Sequence, residues 1–402
     1  MHIVDVCAFY TPHGGGVKTY VERKVQAAKR HGVKVTILAP GKARGHETFG
    51  NVSIRSVPGR RFPLDGRYRY FHDERALHAA LDALAPDFVE ASSPWSSAGM
   101  VARWPGSAPR SLVMHADPLA TYAYRWLGGL FERATIDRRV ERFWAHLRRL
   151  DAGFDMVVCA SSELRERLAA GGLRRARTIA MGVEPGIFSP VHRDETLRER
   201  LLGECGLPPS ATLLLGAGRL ASEKRWPMVI DAVMAAGIAH PLGLVLLGEG
   251  RDRAAVLSRT ANNPHIRLLA PIADRPALAR IMASADALVH GCESETFCMV
   301  ASEARASGVP LIVPDRGGAA EQAVAAGGSI YTAGSSANLS EKIGAFVDAG
   351  PAWQRERATA LATSVRSMDD HFAELIRSYR KLICERPARF DPHARIAAAL
   401  AS

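Results

Sequence analysis

The 402-residue chain has no run of about eighteen apolar residues, so nothing in it reads as a bilayer-spanning helix. Its start, MHIVDVCAFY, enters a buried-strand pattern at once, without the charged head, apolar stretch and cleavage site of an export signal. A cytoplasmic protein is expected. Six cysteines (Cys7, Cys159, Cys205, Cys292, Cys298, Cys384) include no C-x-x-C pair and no Cys/His set at zinc-ligand spacing, which points to free buried thiols. Aromatic residues make up only 7%, and neither internal repeats nor low-complexity segments occur. The G-x-G-x-x-G fingerprint of nicotinamide enzymes and the P-loop of nucleotide triphosphatases are both missing.

What is present is the balance of an ordinary globular protein: 47% hydrophobic and 23% charged residues, with 35 glycines. At about 100 to 200 residues per domain, this length implies two or three domains. The net charge of +11 is concentrated in the first half, where residues 1–190 carry 28 Lys and Arg against 18 Asp and Glu. Two basic clusters interleave with aromatics. One is Arg55/Arg60/Arg61/Arg67/Arg69 with Phe62, Tyr68, Tyr70 and Phe71; the other is Arg133/Arg138/Arg139/Arg142/Arg148/Arg149 with Trp126, Phe131, Phe143 and Trp144. Such clusters suit an anionic membrane surface or a polyanion, and equally a solvated arginine-rich face beside core aromatics.

Short apolar runs alternate with helical patterns, which predicts βαβ units and parallel sheets. Strands are expected at His2–Ala8, Val33–Ala39, Asp87–Ala91, Ser111–His115 and Met156–Ala160, with a helix over Val17–Arg30. The polar stretch Gly186–Pro209, around one helical segment Glu195–Gly203, reads as a linker. The pattern then resumes with Thr212–Gly216, Leu242–Leu247, His265–Leu269, Ala287–His290, Val309–Val313 and Ser329–Tyr331. A final amphipathic helix is expected over Met368–Ile383. Two doubly wound α/β domains in tandem are the economical topology.

In such sheets ligands bind beyond the carboxyl ends of the strands, so the loops there carry the chemistry. The first strand runs into Gly14-Gly15-Gly16 immediately before a helix, a place where bare backbone and a helix N-terminus can approach a phosphate. After Thr212–Gly216 comes Gly216-Ala217-Gly218-Arg219-Leu220-Ala221-Ser222-Glu223-Lys224-Arg225, which sets a guanidinium and an ammonium five residues apart, as a diphosphate requires. After Ala287–His290 the chain reads Gly291-Cys292-Glu293-Ser294-Glu295-Thr296-Phe297-Cys298-Met299, with Glu303 further on. A helix starting near Thr296 would place Glu295 and Glu303 roughly 12 Å apart along its axis on neighbouring faces. That separation suits two sugars joined by a diphosphate, with the amides of Phe297, Cys298 and Met299 facing the phosphates.

G-R-L-x-x-E-K (Gly218–Lys224), L-L-G-E-G (Leu246–Gly250), E-x-F-x-x-x-x-x-E-A with A-S-G-V-P (Glu295–Pro310) and G-G-x-x-E (Gly317–Glu321) together resemble the retaining GT-B glycosyltransferases of family 4. The Gly14–Gly16 loop and the M-G-V-E-P-G-I-F run (Met181–Phe188) agree. The resemblance implies two Rossmann-like domains facing each other across a cleft: 1–188 for the acceptor and 189–365 for the nucleotide sugar. It also implies a helix at 366–384 packing back on the N-terminal domain and a tail at 385–402.

By the same resemblance Arg219 and Lys224 neutralise the donor diphosphate, with Gly218 in their loop. Glu303 holds the ribose, Glu295 orients the hexose, Gly15 and Gly16 approach the diphosphate or donor sugar, and His115 matches a histidine near the reacting centre. Phe297-Cys298 departs from the frequent Phe-Gly of the family. No D-x-D motif lies near these loops, in keeping with an enzyme that needs no metal and no cofactor beyond its UDP- or GDP-linked donor. The implied activity is transfer of a hexose, with retention, to an acceptor hydroxyl of a glycan, small molecule or membrane lipid, with no nucleic-acid partner. The rivals are a sugar-nucleotide epimerase of the same fold and a non-enzymatic basic protein of the membrane surface.

Overall fold

A computed structural model of the protein describes residues 1–8, 10, 16–49, 52–61, 69–128 and 130–385. The chain forms two compact units: Met1–Ala180 together with the chain from Asp369 onward, and Met181–Met368. The first unit thus ends at Ala180, against an expected boundary at 188, and recruits the end of the chain.

The first unit holds β1 (His2–Cys7), β2 (Lys34–Gly41), β3 (Gly45–Phe49), β4 (Val52–Pro58), β5 (Arg60–Arg61), β6 (Arg69–Tyr70), β7 (Phe88–Ser92), β8 (Arg110–Val113), β9 (Met156–Cys159) and β10 (Ala176–Thr178). Eight of these form one sheet in the order β10-β9-β8-β7-β1-β2-β4-β3, parallel except for the antiparallel edge strand β3. Its central strands are buried on both faces and therefore read as continuous apolar runs. The sequence analysis left out β3, β4 and β10. β3 (GHETF) is too polar to show an apolar run, and β10 (ART) has only three residues.

Among the buried charges of this unit, three form one group. Asp5 on β1 and Glu90 on the neighbouring β7 are paired in register. Lys24, from the helix Gly16–Arg30, reaches both, at 3.1 and 2.6 Å, and all three are buried. The terminal helix Met368–Glu385 adds Tyr379, whose ring stacks on Phe88 at 3.8 Å between centroids. Its hydroxyl donates to Glu90 at 2.6 Å and accepts from Ser111 at 2.9 Å. Burial pushes the Glu90 carboxyl upward against the pull of Lys24.

The second unit holds β11 (Thr212–Ala217), β12 (Leu242–Leu247), β13 (Ile266–Leu269), β14 (Ala287–Val289), β15 (Leu311–Pro314) and β16 (Ser329–Tyr331). All are parallel, in the order β13-β12-β11-β14-β15-β16. The strand order reverses between β11 and β14, which opens a crevice at their carboxyl ends. The stretch taken for a linker belongs to this unit instead. Leu197, Leu201 and Leu202, from the helix Glu195–Glu204, are buried in one cluster with Val183 and Phe188. Burial of those leucines outweighs the polar composition that marked the segment as a connection. Five of the six cysteines are buried as free thiols, whereas Cys384 is exposed.

Candidate active site

The crevice of the second unit is made by the loops that leave β11 and β14. The β11 loop is held from beneath by Trp226, 1% exposed, whose indole N–H donates to the carbonyl of Arg219 at 2.9 Å. Its neighbour is the loop after β12, where Glu249 O accepts from Leu220 N at 2.9 Å. Gly291, at the start of the β14 loop, faces the carbonyl of Lys224 so closely that an added Cβ would lie 2.6 Å from it. Glycine is what lets the two loops lie backbone against backbone at the point where the strand order reverses.

Across this contact Lys224 donates from Nζ to Glu295 Oε1, and the side chains are 15% and 21% exposed. Burial works against both charges but is outweighed by their mutual attraction. The lysine is raised and the carboxyl of Glu295 is held below the usual carboxylate range, aided by His290. One residue beyond Lys224, Arg225 adopts left-handed backbone (φ 51°) and clamps both carboxylate oxygens of Glu293 with one edge of its guanidinium, Nε donating to Oε2 at 2.6 Å and Nη2 to Oε1. The sequence analysis assigned no role to Arg225 or Glu293. The signal was there: a second cation directly after Lys224 and a second carboxylate two residues before Glu295.

The helix carrying Glu303 corrects an expectation. It spans Met299–Ala306 instead of beginning near Thr296, so Glu295 stands on the loop ahead of it and the helical estimate of its spacing to Glu303 does not apply. Two features keep the chain out of helix there. Cys298, at the N-cap, is left-handed (φ 67°). The helix Gly317–Ala326 also presses its start onto the loop, with Gly318 N donating to Glu295 O at 2.7 Å. The first amide of the Met299–Ala306 helix to bond backward is that of Ala301, to Cys298 O at 3.1 Å. The amide of Met299 therefore lies in the unbonded first turn, next to those of Phe297 and Cys298.

Glu303 is 6% exposed and receives Arg275 Nη2 at 2.5 Å; Arg275 also lies 3.5 Å from Glu184. Arg275 was not anticipated, because its link to Glu303 is purely tertiary. Arg219 stands apart: its side chain is 66% exposed and its guanidinium donates to Glu223 at 2.8 Å. The structure thus joins Lys224 to Glu295 directly, seats Glu303 on a neighbouring cation and leaves Arg219 pointing to solvent from Gly218's loop.

His290, Cys292 and Glu295 have their donor atoms within 4.8 Å of one another, a spacing that a metal ion could use. The chemistry fits poorly. The carboxylate already holds a full ammonium, and burial pushes the Cys292 thiol up to about 11, which keeps it protonated. Burial, opposed by Glu295, lowers His290, whose Nε2 lies 3.4 Å from that carboxylate.

In the first unit His115 follows β8 and meets the Tyr20 ring edge-on at 4.6 Å between centroids. Burial, only partly opposed by Asp5, pulls its pKa down to about 4, so the imidazole is neutral at physiological pH. Gly16 is the first residue of the helix Gly16–Arg30, while Gly14 and Gly15 lie outside the described residues. In the first basic cluster Phe71 is a core residue, and Phe62, Arg67 and Tyr68 lie outside the described residues. In the second, Trp144 is buried and donates to Asp137 at 3.0 Å, whereas Trp126 is 63% exposed.

Residues 198–362 match the family model described as glycosyl transferases group 1, and residues 14–186 match that of glycosyltransferase family 4. A GDP-mannose-dependent alpha-mannosyltransferase of Mycolicibacterium smegmatis is 31% identical over 79% of this chain and 80% of its own length. A GDP-mannose-dependent alpha-(1-6)-phosphatidylinositol dimannoside mannosyltransferase of Mycobacterium tuberculosis is 30% identical over 78% and 79%. Among solved structures, sucrose-phosphate synthase from Thermosynechococcus elongatus superposes with a TM-score of 0.74 at 17% identity, covering 95% of this chain and 99% of that one.

Proposed function

From the premise that the chain belongs to the family 4 glycosyltransferases of GT-B fold, which act from nucleotide sugars, we propose that it transfers mannose from GDP-mannose to a lipid-borne acceptor at the membrane surface, retaining the anomeric configuration and using no metal. The donor and acceptor class follow the names of its relatives. The observation that carries the chemistry is the Lys224–Glu295 pair lodged where the strand order of the second sheet reverses.

When the bond from mannose to diphosphate breaks, negative charge grows on the departing oxygen. Lys224 has three N–H donors, so it can hold Glu295 and still meet a phosphate. The unbonded amides at the start of the Met299–Ala306 helix add a second positive end. Arg219 joins them once a stronger anion draws it from Glu223, since an ion pair whose arginine stands in solvent is worth no more than about 1 kcal/mol. Glu295, kept ionised by Lys224, accepts from hexose hydroxyls, and Glu303 does the same for the ribose. The acceptor oxygen attacks from the face the diphosphate leaves, and its proton passes to that leaving group. No protein carboxylate is needed as nucleophile. His115, neutral at working pH, serves as a hydrogen-bonding group toward substrate.

Thermal shift with nucleotides tests the donor. GDP or GDP-mannose at 100 times its dissociation constant stabilises the fold by about 2.7 kcal/mol, and UDP at the same concentration does less. Lys224→Ala should lower transfer by about 10²–10³-fold, the scale seen when one stabilising donor is removed. Transfer within a few-fold of the parent enzyme, in a variant with native circular dichroism, would sink the assignment.

A further inference from the structure

Among the described residues of the first unit, the large apolar side chains left exposed are Tyr122, Trp126 and Leu130, at 45%, 63% and 76%, all within nine residues. The other exposed large apolar side chains are scattered singly through the second unit, where such residues need no explanation. Tyr122 and Trp126 lie side by side, edge to face at 5.4 Å between centroids. They stand on a π-helical turn, Leu119–Tyr124, that runs on into Arg125–Leu127.

The backbone that carries them is fixed. Asp117 Oδ1 accepts from Leu119 N and Ala120 N at 3.1 and 3.2 Å and is itself gripped by the largely buried Arg167. Tyr124 donates to Asp137, which also accepts from Trp144 at 3.0 Å. The apolar side chains therefore stand out from a rigid base and are not the fringe of a loose loop.

Arg125 lies over the Trp126 ring, 5.9 Å from its centroid. Arg125, Arg133, Arg138, Arg139 and Arg142 make no ion pair among the described residues. Instead Arg133 and Arg139 lie over the rings of Tyr124 and Phe131 at 4.6 and 3.9 Å, which leaves their charge uncancelled. Tyr, Trp and Leu beside unpaired arginines make the pairing that favours the headgroup region of an anionic bilayer, with rings at the interface and guanidiniums on lipid phosphates.

We propose that Tyr122, Trp126 and Leu130, together with the arginines that neighbour them in the chain, form a wedge that docks the first unit on an anionic lipid surface. The wedge comes soon after β8 and His115 in the chain, on and just beyond the helical turns Leu119–Tyr124 and Arg125–Leu127, so docking holds the carboxyl edge of this sheet close to lipid headgroups. The inference deepens the reading of the acceptor as lipid-borne and rests on it.

Flotation of the full chain with vesicles of equal parts phosphatidylcholine and phosphatidylglycerol tests this, with nucleotide-free protein at low and high salt. The parent chain is expected to float at low salt and to be released as salt rises. Replacing Tyr122, Trp126 and Leu130 together by Ser should reduce binding at least tenfold. Arg138, Arg139 and Arg142 replaced together by Gln should reduce it about a hundredfold, at about fivefold for each basic residue. Thermal shift with GDP, run on every variant, reports folding and donor binding independently. A parent chain that answers to GDP yet never floats would overturn the wedge and leave the enzyme reading standing. Flotation of the Ser variant equal to the parent also overturns it. So would a dimer dissociated by the same substitutions, which would assign the patch to a second copy of the chain.

Discussion

Single residues in this protein carry charge states that differ from those of the same groups in water. Burial lowers His115 to about 4, whereas the unfolded chain titrates near 6.5. Between those values the unfolded state binds a proton that the native state refuses, so stability rises with pH through this window and is lost as pH falls from about 6.5 to about 4. Urea midpoints measured across pH 4 to 7 should show that slope, and His115→Gln should flatten it. Above pH 6.5 the two proteins should run parallel. Cys298 illustrates a different residue-level effect. It holds left-handed backbone, at a cost of about 1–2 kcal/mol, and its side chain is buried in the core of the second unit.

At the level of elements, the site is an arrangement of loop contacts. The helix Gly317–Ala326 begins on the backbone of the β14 loop. An added Cβ on Gly318 would lie 2.5–2.7 Å from backbone atoms of Phe297, and one on Gly317 2.8 Å from Glu293 O. Gly318→Ala should therefore destabilise the protein by about 1–3 kcal/mol, as overpacking does. It should also lower kcat/KM by up to about 10²-fold through displacement of Glu295. Thermal melts and transfer assays on the same preparation check both outcomes. These contacts also mark what could be read from the chain alone. Central strands such as Leu242–Leu247 announce themselves because burial on both faces demands unbroken apolar runs. Lys224, Glu295 and Glu303 stand out because their spacing recurs in a known family. The true start of the Glu303 helix, the Arg275–Glu303 bond and the turning of Arg219 onto Glu223 depend on atoms distant in sequence, and no local pattern records them. Leu197, Leu201 and Leu202 misled for a related reason: a helix amid polar residues looks like a linker until the core that it fills is seen.

For the molecule as a whole, the terminal helix is part of the first unit although nearly all of the second unit precedes it in the chain. Its attachment is specific: one phenol hydroxyl serves Glu90 and Ser111 while its ring lies on Phe88. Tyr379→Phe keeps the ring and removes the hydroxyl, leaving two buried polar groups short of a partner. It should cost about 1–3 kcal/mol, visible in chemical denaturation, with the response to GDP retained because donor binding is placed on the other unit.

That attachment also sets an order on biosynthesis. Glu90 and Tyr379 are 289 residues apart, so the strands around Glu90 leave the ribosome long before the side chain that completes their hydrogen bonding exists. The first half made is thus the last half finished, and a transcript cut short within the second unit would yield an N-terminal sheet with an apolar face and a buried carboxyl left open, a substrate for chaperones or proteases.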